Sequence, residues 1–286
     1  MAINSGDLVR RVVAGAVYVA ITALCTLVSF YTTALVIAVT AGICCYEFLR
    51  MAQKAGHRPY VIIGTATSTL IPLACCVTMP TSHLLVGGLS VAFLGAVVML
   101  LRFFSHDADD IVDVALTLYG VLYTGLMLTG FMLLRGAAPG IEGGLLGFIV
   151  LASVWINDGA AYLGGSAFGT HKFAPRISPN KTWEGVVCGL VASMIAWLFI
   201  PLVLPSLGMG YVWAALSGLV VGIAGIIGDL TESHIKRSFG CKDAGNLIPG
   251  HGGLLDRSDS LIVASCVAYA MVELVPYLPA FLGGLL

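Results

Sequence analysis

Residues 228–259 read GDLTESHIKRSFGCKDAGNLIPGHGGLLDRSD. The block holds five of the chain's fifteen Asp and Glu residues (Asp229, Glu232, Asp243, Asp256, Asp259) and four of its fourteen Lys and Arg (Lys236, Arg237, Lys242, Arg257). Apolar runs at 212–227 and 260–272 bracket it. So dense a polar block between such segments separates what lies in lipid from what projects out of it.

Composition supports that division. Hydrophobic residues make up 58% of the 286, charged residues only 10%, and mean hydropathy is +0.98. Soluble domains carry roughly 25% charged residues, so the chain is expected to be an all-α, polytopic integral membrane protein. A net charge of -1 says nothing about nucleic acid, and no basic tract suggests such a partner. Of eight cysteines, seven lie inside apolar segments and none forms a C-x-x-C pair, which argues against disulfides and metal ligation. Cys241, in the charged block, is the exception to check. The apolar run after Arg10-Arg11 continues to about Ser29, longer than the roughly 7–15 residues of a signal core, and reads as a retained first span.

A crossing helix needs about 20 apolar residues. Spans are expected at 12–29, 32–49, 60–79, 84–104, 112–134, 144–163, 184–204, 212–230 and 260–282, nine in all. With the N-terminus cytoplasmic, thirteen Lys and Arg fall in inside segments and only Arg135 falls outside, as the positive-inside rule requires. The C-terminus is then external. The chain divides into N-terminal transmembrane helices (1–110) and a catalytic transmembrane region (111–286) with cytoplasmic loops at 164–183 and 231–258.

The first of those loops, GGSAFGTHKFAPRISPNKTW, is long for a loop without structure of its own, and such loops are usually functional. It carries Lys172, Arg176 and Lys181. Just before it, Asp158 lies in an otherwise apolar span, where an ionisable side chain marks a functional site by default.

In the charged block, Asp229, Glu232 and Lys236 are spaced i, i+3 and i+7 and share one helix face. Across a glycine turn, Asp256 and Asp259 are again three apart. Two carboxylate pairs at the mouths of adjacent helices suit a hard cation such as Mg2+, which takes one or two carboxylates and shares its remaining positions with water and substrate phosphates. Lys181, Lys236, Arg237, Lys242 and Arg257 suit phosphate charge. Gly250, Gly252 and Gly253 let backbone N–H groups approach an anion, and the dipole of the last helix favours a bound phosphate or an acidic cap. A set of interfacial salt bridges that only fixes topology is the alternative, and spacing alone names no reaction.

The segment from Ser233 to Asp259 resembles the signature of the phosphatidate cytidylyltransferase family: S-x-x-K-R, then K-D, then P-G-H-G-G-x-x-D-R-x-D. Asn157-Asp158, Ala161-Tyr162, Phe168-Gly169 and Ser178-Pro-Asn-Lys-Thr-Trp-Glu-Gly185 are similar to a second block of that family, as is the helix end Tyr46-Glu-Phe-Leu-Arg50. The resemblance implies transfer of a cytidylyl group from CTP to phosphatidate, giving CDP-diacylglycerol and pyrophosphate for phospholipid biosynthesis. It implies Asp229 and Asp256 as leading metal ligands, with Asp259, Glu232 and Asp158 behind them, Mg2+ as the ion and a potassium ion nearby. It implies Lys181, Lys236, Arg237 and Arg257 as phosphate contacts, Ser178 and Asn180 as hydrogen-bond donors, His251 as a turn or phosphate contact, and a homodimer. Competing readings are a related CTP-dependent membrane enzyme acting on another lipid phosphate or a polyprenol, and a transporter; charges gathered at one face disfavour the last. The topology is checked by cysteine labelling at position 242: reaction only from the cytoplasmic side is expected, and external labelling would invert it.

Overall fold

The computed structural model describes residues 5–77, 84–105, 110–247 and 252–277. In a bilayer, helices satisfy every backbone group within one segment, and the apolar runs are indeed helical. They are α1 (Ser5–Val28), α2 (Phe30–Lys54), α3 (Val61–Val77), α4 (Leu84–Ser105), α5 (Ile111–Gly120), α6 (Met127–Gly136), α7 (Gly140–Phe168), α8 (Trp183–Trp197), α9 (Phe199–Val203), α10 (Tyr211–Ser238) and α11 (Leu255–Glu273). A π-helical turn, Val121–Leu126, joins α5 to α6 in one long rod. Six helical segments are long and apolar enough to cross a membrane, and Val17–Val28, Val61–Cys76 and Leu89–Phe104 are shorter apolar helices. The spans expected at 60–79 and 260–282 run beyond Val77 and Tyr277, outside the described residues.

The observed elements depart from the expected ones at the polar ends. Hydropathy ends a span at 230, yet α10 continues to Ser238 over 28 residues. At about 1.5 Å per residue that is roughly 42 Å, longer than the roughly 30 Å hydrocarbon core. Its last turns are polar, and they stay helical because Glu, Lys and Arg are good helix formers. α7 likewise reaches Phe168 rather than 163, and α11 begins at Leu255 rather than 260. The expected loop 164–183 is not without structure. Lys172–Ala174 (β1) and Ser178–Thr182 (β2) pair as an antiparallel hairpin, the one exception to an otherwise helical fold among the described residues.

The bundle core forms where α2, the π turn, α6, α7 and α11 meet, and includes Ile37, Phe48, Leu128, Phe131, Leu151 and Ile262, each 1% exposed or less. Lipid tails are as apolar as these side chains, so small residues and interhelical hydrogen bonds specify the contacts. Trp197 Nε1 donates to Ser153 Oγ at 3.1 Å between α8 and α7; Ser193 Oγ donates to the Gly218 carbonyl at 2.8 Å between α8 and α10; Trp213 Nε1 donates to the Met271 carbonyl at 3.0 Å between α10 and α11. Arg135, expected in an external loop, instead closes the last turn of α6. It is 4% exposed and gives its Nε to the Thr26 carbonyl at 3.0 Å. All eight cysteines are free. Cys241 packs its thiol against Met51 Sδ (3.4 Å) and Lys236 O (3.5 Å), and burial pushes the thiol above its ordinary range, so it is a packing group rather than a reactive thiolate.

Gly130 of α6 lies where a Cβ would come 2.8 Å from the backbone N and Cα of Cys266 in α11. Gly130→Val is therefore expected to cost about 1–3 kcal/mol by overpacking, read as a lower thermal midpoint of the detergent-solubilised protein.

Candidate functional site

The α7–α8 contact is built from small residues. A Cβ on Gly185 would lie 3.1 Å from Gly165 Cα, and one on Gly189 would lie 2.8 Å from the Asn157 carbonyl oxygen and side-chain Oδ1. Close approach of the two helices brings the start of α8 beside the polar half of α7. The hairpin leads directly into α8, whose N-cap is Thr182, accepting from Gly185 N at 3.3 Å. Glu184 fastens the hairpin's approach: it accepts from Thr170 Oγ1 at 2.7 Å and contacts His171 Nδ1 at 2.6 Å. Phe173 and Trp183 meet edge to face at 4.7 Å.

Between α7, β2, α8 and α10 opens a cavity of about 460 Å3. Asp158 and Asn157 reach it from α7, Asn180 and Lys181 from β2, and Asp229 from α10, beside Tyr162 and Ile226. Lys181 Nζ and Asp229 Oδ2 form an ion pair across it, each side chain about a quarter exposed. Ser233 Oγ donates to the other Asp229 oxygen at 3.3 Å.

Behind this pair, Gly228 lies against the Asp259 carbonyl. That crossing of α10 with α11 places Asp259 within electrostatic reach of Asp229, Glu232 and Asp158. Glu232 is fully buried, and Lys236 bridges it (Oε2, 2.7 Å) to Asp256 Oδ1 (2.6 Å). Asp256 Oδ2 accepts from Gly253 N at 2.7 Å and Ala244 N at 3.0 Å. The carboxylates thus form a row, with Lys181 paired at the cavity end and Lys236 set between Glu232 and Asp256.

The structure brings together Asp158, Lys181, Asp229, Glu232, Lys236, Asp256 and Asp259. It separates others. Ser178 starts β2 but does not line the cavity. Arg237 is exposed and gives Nη1 to the Cys241 carbonyl at 3.1 Å, closing the turn after α10. Lys242 and Arg257 are exposed. His251 lies outside the described residues. Gly252 adopts φ +83, and a Cβ there would sit 2.6 Å from Asp256 Oδ2; one on Gly253 would sit 2.6 Å from the Glu47 Cδ. The anions these glycines meet are the protein's own carboxylates, so their small size is already explained without a ligand.

Sequence reading gave no role to Thr182, Gly185 or Ile226 as cavity walls, nor to Glu47. The β2–α8 junction carried a helix-cap signal, Thr182 ahead of a long apolar run; Glu47 carried the signal that marked Asp158, an acid in an apolar stretch.

The residues fit a divalent cation in one respect and limit it in another. Glu232 Oε1, Asn157 Oδ1 and Ser260 Oγ are buried without hydrogen-bond partners among the described residues, and the carboxylates of the row outnumber its two lysines. Counter-charge and donors are therefore wanting on this inner side. Among the described residues no three acidic, His or Cys side chains converge as a ready-made ligand set. A cation here would take one or two carboxylates and complete its shell with water and phosphate, as Mg2+ does.

The sequence pattern described as the Cytidylyltransferase family matches residues 9–275. A phosphatidate cytidylyltransferase of Brucella suis biovar 1 (strain 1330) is 42% identical over 154 residues, 52% of this chain and 54% of that protein. One of Staphylococcus aureus (strain COL) is 39% identical over 175 residues, 60% of this chain and 64% of that protein. An uncharacterized protein YnbB of Escherichia coli (strain K12) is 42% identical over 160 residues, 53% of each. The chain thus spans a little over half the length of the curated relatives it matches.

Glu184→Ala removes the acceptor that fastens Thr170 and His171. Tryptic cleavage after Lys172 and Arg176 is expected to become several-fold faster, with helix content by circular dichroism unchanged.

Proposed function

The chain belongs to the cytidylyltransferase family, and we propose that it transfers the cytidylyl group of CTP to phosphatidate, releasing pyrophosphate and forming CDP-diacylglycerol. The observation that carries this reading is the Lys181–Asp229 pair in a cavity walled by membrane-length helices. Such a place can meet a lipid from the side and a nucleotide from water. Exposed apolar side chains of α7 and α8, Tyr162 at the cavity (74% exposed), Phe168 (70%) and Val187 (57%), suit acyl chains.

A phosphatidate oxygen attacks the α-phosphorus of CTP, a new P–O–P bond forms, and the bond to the β-phosphate breaks. Both reactants are anionic, so their mutual repulsion is the first obstacle. Lys181 meets phosphate charge at the cavity, held in place by Asp229. Lys236, bridged between Glu232 and Asp256, supplies a second fixed positive charge. Such preorganised charges act on the transition state without reorganising at the moment of reaction. The phosphate oxygen is already nucleophilic near neutral pH, which fits the lack of a Ser–His–Asp arrangement among these residues. One or two of Asp229, Asp256, Asp259, Glu232 and Asp158 would hold Mg2+, which when bound would neutralise phosphate charge and orient the leaving group. A potassium ion beside it fits the same excess of carboxylate.

Six long apolar helices and three shorter ones support a nine-span bundle. The lysine and arginine bias supports a cytoplasmic N-terminus and, with it, a row of carboxylates at the cytoplasmic face of a bacterial membrane.

Purified protein given CTP, phosphatidate and Mg2+ is expected to release pyrophosphate, and EDTA to stop it. Turnover only with a different lipid phosphate would move the assignment to a related enzyme. Asp229→Asn is expected to lower kcat by about two to three orders of magnitude while the protein still inserts. Lys181→Ala is expected to raise the KM for CTP or lipid about tenfold; unchanged constants would remove Lys181 from phosphate binding.

A further inference from the structure

Glu47 lies near the C-terminal end of α2 in the apolar stretch AGICCYEFL and is 5% exposed. Among the described residues no Lys, Arg or His side chain pairs with it. A buried carboxylate without a cation must be satisfied by hydrogen bonds, and Glu47 finds them on the backbone of a segment about two hundred residues away. Its Oε1 accepts from Leu254 N at 3.1 Å and its Oε2 from Leu255 N at 2.8 Å.

Those two amides open α11, whose own N-cap residue, Leu254, contributes no side-chain cap. The first N–H groups of a helix have no partner within it, and a leucine cannot supply one. Gly253 N, the preceding amide, is taken by Asp256 Oδ2. Three consecutive amides, 253 to 255, are therefore shared between two carboxylates, one reaching in from α2 and one from α11 itself. The fit is tight on both sides: a Cβ on Gly245 would lie 2.9 Å from the Glu47 Cδ, and one on Gly253 would lie 2.6 Å from it. The other oxygen of Asp256 holds Lys236.

We infer that Glu47 is a positioning residue for the transfer reaction: it caps α11 from α2 and so fixes where Asp256 and Lys236 stand. The inference rests on the proposed function for its catalytic consequence and on geometry alone for the cap. A residue that only filled space would be replaced without loss by an isosteric one. A cap that accepts on both oxygens would not, because glutamine turns an NH2 group toward one of the two amides. Small displacements of the first turn are sufficient to matter, since misplacing a reacting group by about 1 Å can cost about 100-fold in rate.

The test compares full-length wild type, Glu47→Gln and Glu47→Asp in detergent, by hydrogen–deuterium exchange and by pyrophosphate release. In Glu47→Gln the amides of Leu254 and Leu255 are expected to exchange about tenfold faster or more, each 1.4 kcal/mol of lost protection being tenfold, while peptides from α7 and α8 are unchanged. The kcat is expected to fall by about 10- to 100-fold, with the KM for CTP changed far less. Glu47→Asp, which keeps the charge on a shorter arm, is expected to recover part of kcat. Unchanged exchange at 254–255 overturns the cap. Faster exchange there with wild-type kcat overturns the positioning role. Acceleration spread evenly over all helices marks a general loss of stability and overturns it too. If the wild type releases no pyrophosphate under any condition, the proposed function fails, and the exchange measurement still decides the cap.

Discussion

Five carboxylates, Asp158, Asp229, Glu232, Asp256 and Asp259, gather at one end of α7, α10 and α11, with Lys181 paired to Asp229 and Lys236 bridging Glu232 and Asp256. Like charges in a medium of low dielectric repel strongly, so this row depends on the specific partners that hold three of its members. Asp229 has Lys181 and Ser233, Asp256 has Lys236 and two backbone amides, and Glu232 has Lys236. The helix crossings follow from this need. The contact of Gly228 with Asp259 brings α10 against α11, and the small residues of α7 and α8 bring the hairpin's Lys181 within reach of Asp229.

A row held in this way is stabilised unevenly. The lysines pair with three of its members, while Glu232 Oε1, Asn157 Oδ1 and Ser260 Oγ remain without partners on its inner side. Buried polar atoms left unpaired cost about 1–3 kcal/mol each. Keeping them is reasonable where a substrate or an ion supplies the missing contact, and sites that bind anions and cations together are where such strain is expected. Of these three groups, Asn157 lines the cavity.

Much of this was legible in the chain. The i, i+3, i+7 spacing put Asp229, Glu232 and Lys236 on one face, and all three do project into one row. Asp158 stood out as an acid in an apolar span, and it lines the cavity. The hydropathy windows found the helices but ended α10 eight residues early and began α11 five residues late. A window scale registers polarity as the end of a span, whereas a helix ends only where its backbone loses partners. Arg135 was misplaced for the related reason that a lone cation reads as a loop even when a carbonyl receives it in the interior.

The sequence by itself determined that the chain carries helices apolar enough to cross a membrane and that its charge gathers in a few short blocks. Those facts depend on local composition and spacing, which hydropathy and helical periodicity report directly. Only the tertiary structure decided which carboxylate answers which cation. Lys181 pairs with Asp229 across 48 positions, and Glu47 caps α11 across more than two hundred. Such pairings depend on how closely helices approach, which is set by single glycines at their crossings. The glycines of residues 252–253 could be read in sequence as a cradle for a ligand's anion. In the fold they make room for two carboxylates of the protein itself, because a helix start buried among other helices must find its acceptors nearby.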